Sequence, residues 1–239
     1  QLSGTFSALT AGSYSATVQD INLCTFNIPV IITQPIPPLS GNITAQTNAA
    51  CFGTSTGSVT VAGSGGVTPY EYKLDTGSYQ SSGTFGTLGI GTYTLTVRDA
   101  TLTTFDVSVT ITQPSAAVGG FINSQTNVLC FGSNTGSVTI SGSGGTSPYI
   151  YKLGAGSYQA SGTFGTLTAG SKTVTVQDAN LCTFDVVVNI TQPLAAFAGS
   201  IISQTNVSCI GSTDGSVAVT GAGGTSPYEY SLSGGIYQA

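Results

Sequence analysis

The residues of this chain best suited to chemistry are its cysteines and aspartates, and both keep a fixed beat. Cys51, Cys130 and Cys209 stand 79 residues apart. Cys24 and Cys182 share a second phase, with Thr103 at the position between them. Asp20, Asp99 and Asp178 each lie four residues before that second phase. Two chemistries suit such residues. Paired thiols form disulfides in a secreted chain. Turn carboxylates can hold calcium, which makes Asp99 and Asp178 the candidate metal ligands. Calcium wants about six to eight oxygens, several of them carboxylates. Here one Asp per turn is backed mainly by hydroxyls and carbonyls, so the commoner role of a turn Asp, capping its own backbone, carries more weight.

Composition narrows the rest. There is no His, so the usual general base near neutral pH is missing. We find no nucleophile–base arrangement and no phosphate loop, and expect neither an enzyme nor a cofactor. Four Lys and Arg in 239 residues, with a formal net charge of -5, cannot neutralise a phosphate backbone, so no nucleic-acid partner is expected. No apolar run approaches the roughly 18–20 residues of a membrane helix.

The elements that must position these residues repeat with the same period. The Pro-Tyr pairs at Pro69, Pro148 and Pro227, the Gly-Thr-Phe triplets at Gly4, Gly83 and Gly162, and the Thr-Gln-Pro triplets at Thr33, Thr112 and Thr191 all step by 79. A repeat of this kind governs the whole fold. Residues 1–39 read as the C-terminal half of a repeat, 40–118 and 119–197 as complete repeats, and 198–239 as an N-terminal half. This phasing suggests a window on a longer array. The competing reading is head-to-tail polymerisation, in which 198–239 of one chain completes 1–39 of the next.

Within a repeat, apolar and polar residues alternate in short runs. Tyr93, Leu95 and Val97 are expected to face a core, with Thr94 and Thr96 outside. Phe105, Val107, Val109 and Ile111 alternate with Asp106, Ser108 and Thr110. Gly-rich turns separate the runs, and no stretch has helical period. The expected fold is all-β: a tandem array of immunoglobulin-like β-sandwich repeats of about 79 residues each, with a small barrel as the alternative. Leu88 to Tyr93 has the setting of a tyrosine corner, which Leu9 to Tyr14 repeats and Lys172 breaks. Thr-Gln-Pro closes the last strand, since Pro cannot donate to a ladder. The linkers between repeats are too short to act as free coils.

Three disulfide pairings are open. Cys130 can pair with Cys182 inside one repeat. Cys24 can pair with Cys51, and Cys182 with Cys209, from a late turn to the next first turn. Or Cys51 can pair with Cys182 of the following repeat. An immunoglobulin topology puts the two turns of one repeat at opposite ends, too far for the roughly 6 Å a bridge needs. That geometry favours the third pairing.

The order of these features resembles the SprB-repeat family of gliding-motility and surface-adhesin repeats. The resemblance is carried by Cys130-Phe131-Gly132, then Thr135 to Ile140, Gly144-Gly145-Thr146-Ser147-Pro148-Tyr149, the turn Asp178-Ala179-Asn180-Leu181-Cys182, and Thr191-Gln192-Pro193. Leu23 and Leu181 depart from the Gly usual before that Cys. The resemblance implies a large extracellular adhesin on the cell surface of Bacteroidota, exported by type IX secretion. It implies filaments that serve adhesion and, in some members, gliding motility. The partners would be neighbouring repeats, other filament chains, and a surface polysaccharide or substratum. A glycan-binding or ice-binding module is the alternative, the latter on the Thr92, Thr94 and Thr96 ladder.

Overall fold

The computed structural model describes residues 4–239. Sixteen strands follow in order among them. The first half-repeat supplies β1 (Gly12–Gln19) and β2 (Thr25–Ile32). The next repeat supplies β3 (Ser40–Thr47), β4 (Gly57–Ser64), β5 (Glu71–Leu74), β6 (Thr84–Leu88), β7 (Gly91–Arg98) and β8 (Thr104–Ile111). Its successor repeats the series as β9 (Gly119–Thr126), β10 (Gly136–Ser143), β11 (Ile150–Leu153), β12 (Thr163–Leu167), β13 (Gly170–Gln177) and β14 (Thr183–Ile190). The last half-repeat gives β15 (Ala198–Thr205) and β16 (Ser216–Ala222). The described residues are all-β, and among them no helix is long and apolar enough to cross a membrane.

Each complete repeat makes two antiparallel three-stranded sheets, ordered β3-β4-β6 and β5-β7-β8, then β9-β10-β12 and β11-β13-β14. This is the immunoglobulin arrangement of strands A-B-E facing C-F-G, without a strand D. By packing, the chain divides into two compact units. The first holds the residues up to Thr47 together with Gly57–Ile111; the second holds Asn48–Thr56 and Thr112–Ala239. The division therefore cuts across the sequence repeats. The loop of residues 48–56 between β3 and β4 belongs to the second unit.

The alternating patterns close over two cores. In the first unit Val59, Val61, Leu88, Leu95, Val97, Val109 and Ile111 are buried together. In the second, Val138, Ile140, Leu167, Val174, Val176, Val188 and Ile190 do the same. Period two puts every second side chain on the inner face, so one repeat's pattern writes one core. The tyrosine corner is present: Tyr93 donates to the Gly89 carbonyl at 3.2 Å, and Tyr14 to that of Thr10 at 2.8 Å. In the third copy Lys172 Nζ reaches Thr168 Oγ1 instead, at 3.2 Å.

One expectation about the surface fails. Thr96 is buried, not outward and wet, and its hydroxyl donates to Asp106 Oδ1 at 2.6 Å. β5 and β8 pair on both sides of β7, and the cross-strand hydrogen bond satisfies a hydroxyl that simple alternation assigns to solvent. The Thr92, Thr94, Thr96 ladder is therefore not a continuous exposed row. Glu71 pairs with Arg98 across the β5–β7 register.

Candidate functional site

The feature that gathers the chemistry-bearing residues is the junction where the loop 48–56 meets the turn between β13 and β14, within the second unit. Cys51 and Cys182 are joined there by a disulfide, with Cα atoms 5.8 Å apart and a sequence separation of 131. The bond links the first loop of repeat 40–118 to the late turn of repeat 119–197. It is the third of the three possible pairings. Cys24, Cys130 and Cys209 are free thiols and exposed.

The reason Cys130 and Cys182 of repeat 119–197 do not pair with each other is visible in the loops. At one end of each sandwich, the first loop is tied to the chain leaving the last strand. Ala49 N donates to Thr112 O, Thr112 N to Asn48 Oδ1, and Gly53 N to Gln113 Oε1 at 2.9 Å. Val128, Thr191, Asn127, Gly132 and Gln192 repeat these bonds. The Gln of Thr-Gln-Pro thus caps the first loop, a role beyond the strand-ending one expected of the triplet. The cue was its invariant phase with the Cys loop.

At the other end, the late turn is bolted to the Gly-Gly loop. Asp178 Oδ1 accepts from the amides of Asn180 and Cys182, both at 2.9 Å, closing the turn over Leu181 at φ 66°. Asp178 Oδ2 accepts from Thr146 N at 2.9 Å. Asp99 does the same with Thr101, Thr103 and, through Oδ2, Val67 N at 3.0 Å. The glycines make this approach possible. A Cβ on Gly145 would lie 2.4 Å from Asp178 Oδ2, and one on Gly66 would lie 2.6 Å from Asp99 Oδ2. Both glycines hold positive φ, which costs a non-glycine residue energy. Each loop leads into a cis Xaa-Pro bond, at Pro69 and Pro148.

The candidate calcium ligands are therefore turn caps. Their oxygens already accept amide hydrogens, which repel a cation, and among the described residues no three of His, Cys, Asp and Glu converge. The hydroxyl of Thr101, ahead of the amides, holds the Asp99 carboxyl below its ordinary value of 3.8. A depressed carboxylate stabilises the fold above its unfolded value, and the contribution is lost as pH falls through the folded one. Denaturant midpoints should hold steady down to about pH 4 and then drop. Asp99→Asn should flatten that drop, and an unchanged acid limb in the variant would count against this role for Asp99.

Asn180 adds a polar link beside the disulfide, donating from Nδ2 to the Ala50 carbonyl at 2.9 Å and to Thr146 Oγ1 at 3.1 Å. Asn22 holds the equivalent place two residues before Cys24, and Thr101 the one before Thr103, so the Asn goes with the second-phase Cys.

The SprB-repeat family model matches residues 43–78, 122–157 and 201–235. The chain carries three SprB-repeat matches. Each match runs from the first strand through the Cys loop and the Gly-Gly loop past Pro-Tyr, taking in the short strands β5 and β11 in the two complete repeats. The late turn and Thr-Gln-Pro of the SprB repeats here lie outside the matched residues. No curated protein matches the chain.

Proposed function

We propose that this SprB-repeat chain is a structural, non-catalytic segment of an extracellular cell-surface adhesin, acting as stalk or filament for adhesion to a polysaccharide or a solid substratum. A role in gliding motility extends the same reading. The observation that carries it is the Cys51–Cys182 bond, which crosses a repeat boundary. A bond between successive repeats lets tension pass from one to the next without pulling their sheets apart. It also belongs to an oxidising compartment, as a surface filament does. The polar loop groups support the same view, because Asp99, Asp178, Gln113 and Gln192 are committed to holding turns. The broken threonine ladder gives the ice-binding alternative little support. Antibody raised against the chain should label intact cells that produce it, on threads outside the envelope. Labelling only after permeabilisation would sink the proposal.

A further inference from the structure

Three of the chain's four cations lie against tyrosine rings at one phase of the repeat. In repeat 40–118 the guanidinium carbon of Arg98 sits 3.6 Å from the centroid of the Tyr79 ring, and Lys73 Nζ sits 5.3 Å from it. In repeat 119–197 Lys152 Nζ sits 5.0 Å from the Tyr158 centroid. Strand alternation explains the placement. Gln80 and Gln159 bridge to Tyr72 and Tyr151, which turns the preceding Tyr79 and Tyr158 to the outer face that carries Lys73 and Lys152. The negative face of an aromatic ring then attracts the cation.

The two complete repeats differ in what else stands there. Repeat 40–118 fills the place itself. Glu71 Oε2 accepts from both Nε and Nη2 of Arg98, so a carboxylate rests on a cation that rests on a tyrosine. In repeat 119–197 Ile150 stands in the place of Glu71, Gln177 in that of Arg98, and Gly154 in that of Asp75. Among the described residues Lys152 makes no ion pair. Asp185, in the same cross-strand row, is engaged by the Thr175 hydroxyl at 2.7 Å. Tyr158 is exposed where Tyr79 is half-buried. The second repeat therefore keeps the cation and the ring and lacks the internal carboxylate.

We propose that Lys152 and Tyr158 of repeat 119–197 bind the carboxylate-bearing sugars of an acidic polysaccharide, at a place that repeat 40–118 occupies with its own Glu71. This rests on the adhesin function already proposed and names the class of polymer held. Glu71 shows which chemistry suits the place, because the group it presents to a cation on a tyrosine is a carboxylate. A uronic acid carries the same group on a ring with an apolar face for Tyr158. Gln177, opposite Ile150 in the register, adds an amide for sugar hydroxyls. The formal charge of -5 opposes an acidic polymer only at long range, since charges beyond about 8 Å are largely screened at physiological salt. The local cation then decides the contact.

The test titrates the isotopically labelled 239-residue chain with a galacturonic acid oligomer, with its methyl ester and with polyglutamate, and follows backbone amide signals by NMR. The free acid should move the signals of Lys152, Tyr158 and Gln177 and leave those of Lys73, Tyr79 and Arg98 in place. Lys152→Ala and Tyr158→Ala should each weaken binding about fivefold, with the rest of the spectrum reporting an intact fold. Ile150→Glu, which restores the internal carboxylate, should weaken it as well. Equal binding of the methyl ester overturns the carboxylate requirement, and equal binding of polyglutamate overturns the sugar. Equal shifts in both repeats, or undiminished binding by Lys152→Ala, overturn the proposal. A chain that labels on intact cells and binds no galacturonate overturns this proposal alone and leaves the adhesin function standing.

Discussion

Replacing Cys51 and Cys182 together by Ser is expected to lower the stability of repeat 119–197 and its attached loop by about 5 kcal/mol, near the upper limit for one disulfide. The magnitude follows from the loop it closes. The two positions are 131 residues apart, and the entropy removed from the unfolded chain rises with the logarithm of that length. The Cα separation of 5.8 Å lies in the ordinary range for a bridge, so the fold accommodates the bond without moving backbone. Urea unfolding of the wild type, oxidised and reduced, should reproduce the difference seen in the double variant. A second measurement reads the bond as a mechanical element. Pulled from its ends, the oxidised chain hides the segment between the two cysteines, and reduction should add roughly 45 nm of extensible length. If reduction changes neither the midpoint nor the extension, the bond does not tie the repeats as described.

Much of this junction could be read in the sequence because repetition makes phase visible. The cores needed only period two, and a sandwich followed from short alternating runs between Gly-rich turns. The cysteine pairing followed from placing the first and late turns of one sandwich at opposite ends. What stayed hidden depends on distance rather than phase. The burial of Thr96 is decided by Asp106 across the strand, at a place where alternation predicts solvent. Gln113 and Gln192 look like terminator residues until the first loop folds back to meet them. The link from Asn180 to Ala50 joins residues of two repeats, and the spacing of Asn22 and Asn180 beside their cysteines names no acceptor for it. The Gly-Gly pairs read as turn formers, which is correct. Their stricter reason, the close approach of an Asp carboxylate, needs coordinates.

Asp178→Ala is expected to be the most damaging single polar substitution in repeat 119–197, at about 3–4 kcal/mol. Asp178 is 2% exposed and accepts three amide hydrogens, from Thr146, Asn180 and Cys182. Removing it leaves those donors beside a cavity, and an unmade buried hydrogen bond costs more than the bond contributes when formed. Asp178→Asn separates two roles. Its amide oxygen can still serve Asn180 and Cys182, but its NH2 faces the amide of Thr146, so about half the loss should remain. Gly145→Ala attacks the same contact from the other side, with φ +54° and a Cβ 2.4 Å from Oδ2. Because Gly145→Ala and Asp178→Ala break one bolt, their combined effect should fall well short of the sum. A calcium site would behave differently, since added calcium would raise the wild-type melting temperature and a chelator would lower it. The turn-cap role predicts no response to either, and a rise with calcium that Asp178→Asn abolishes would return the carboxylate to metal binding.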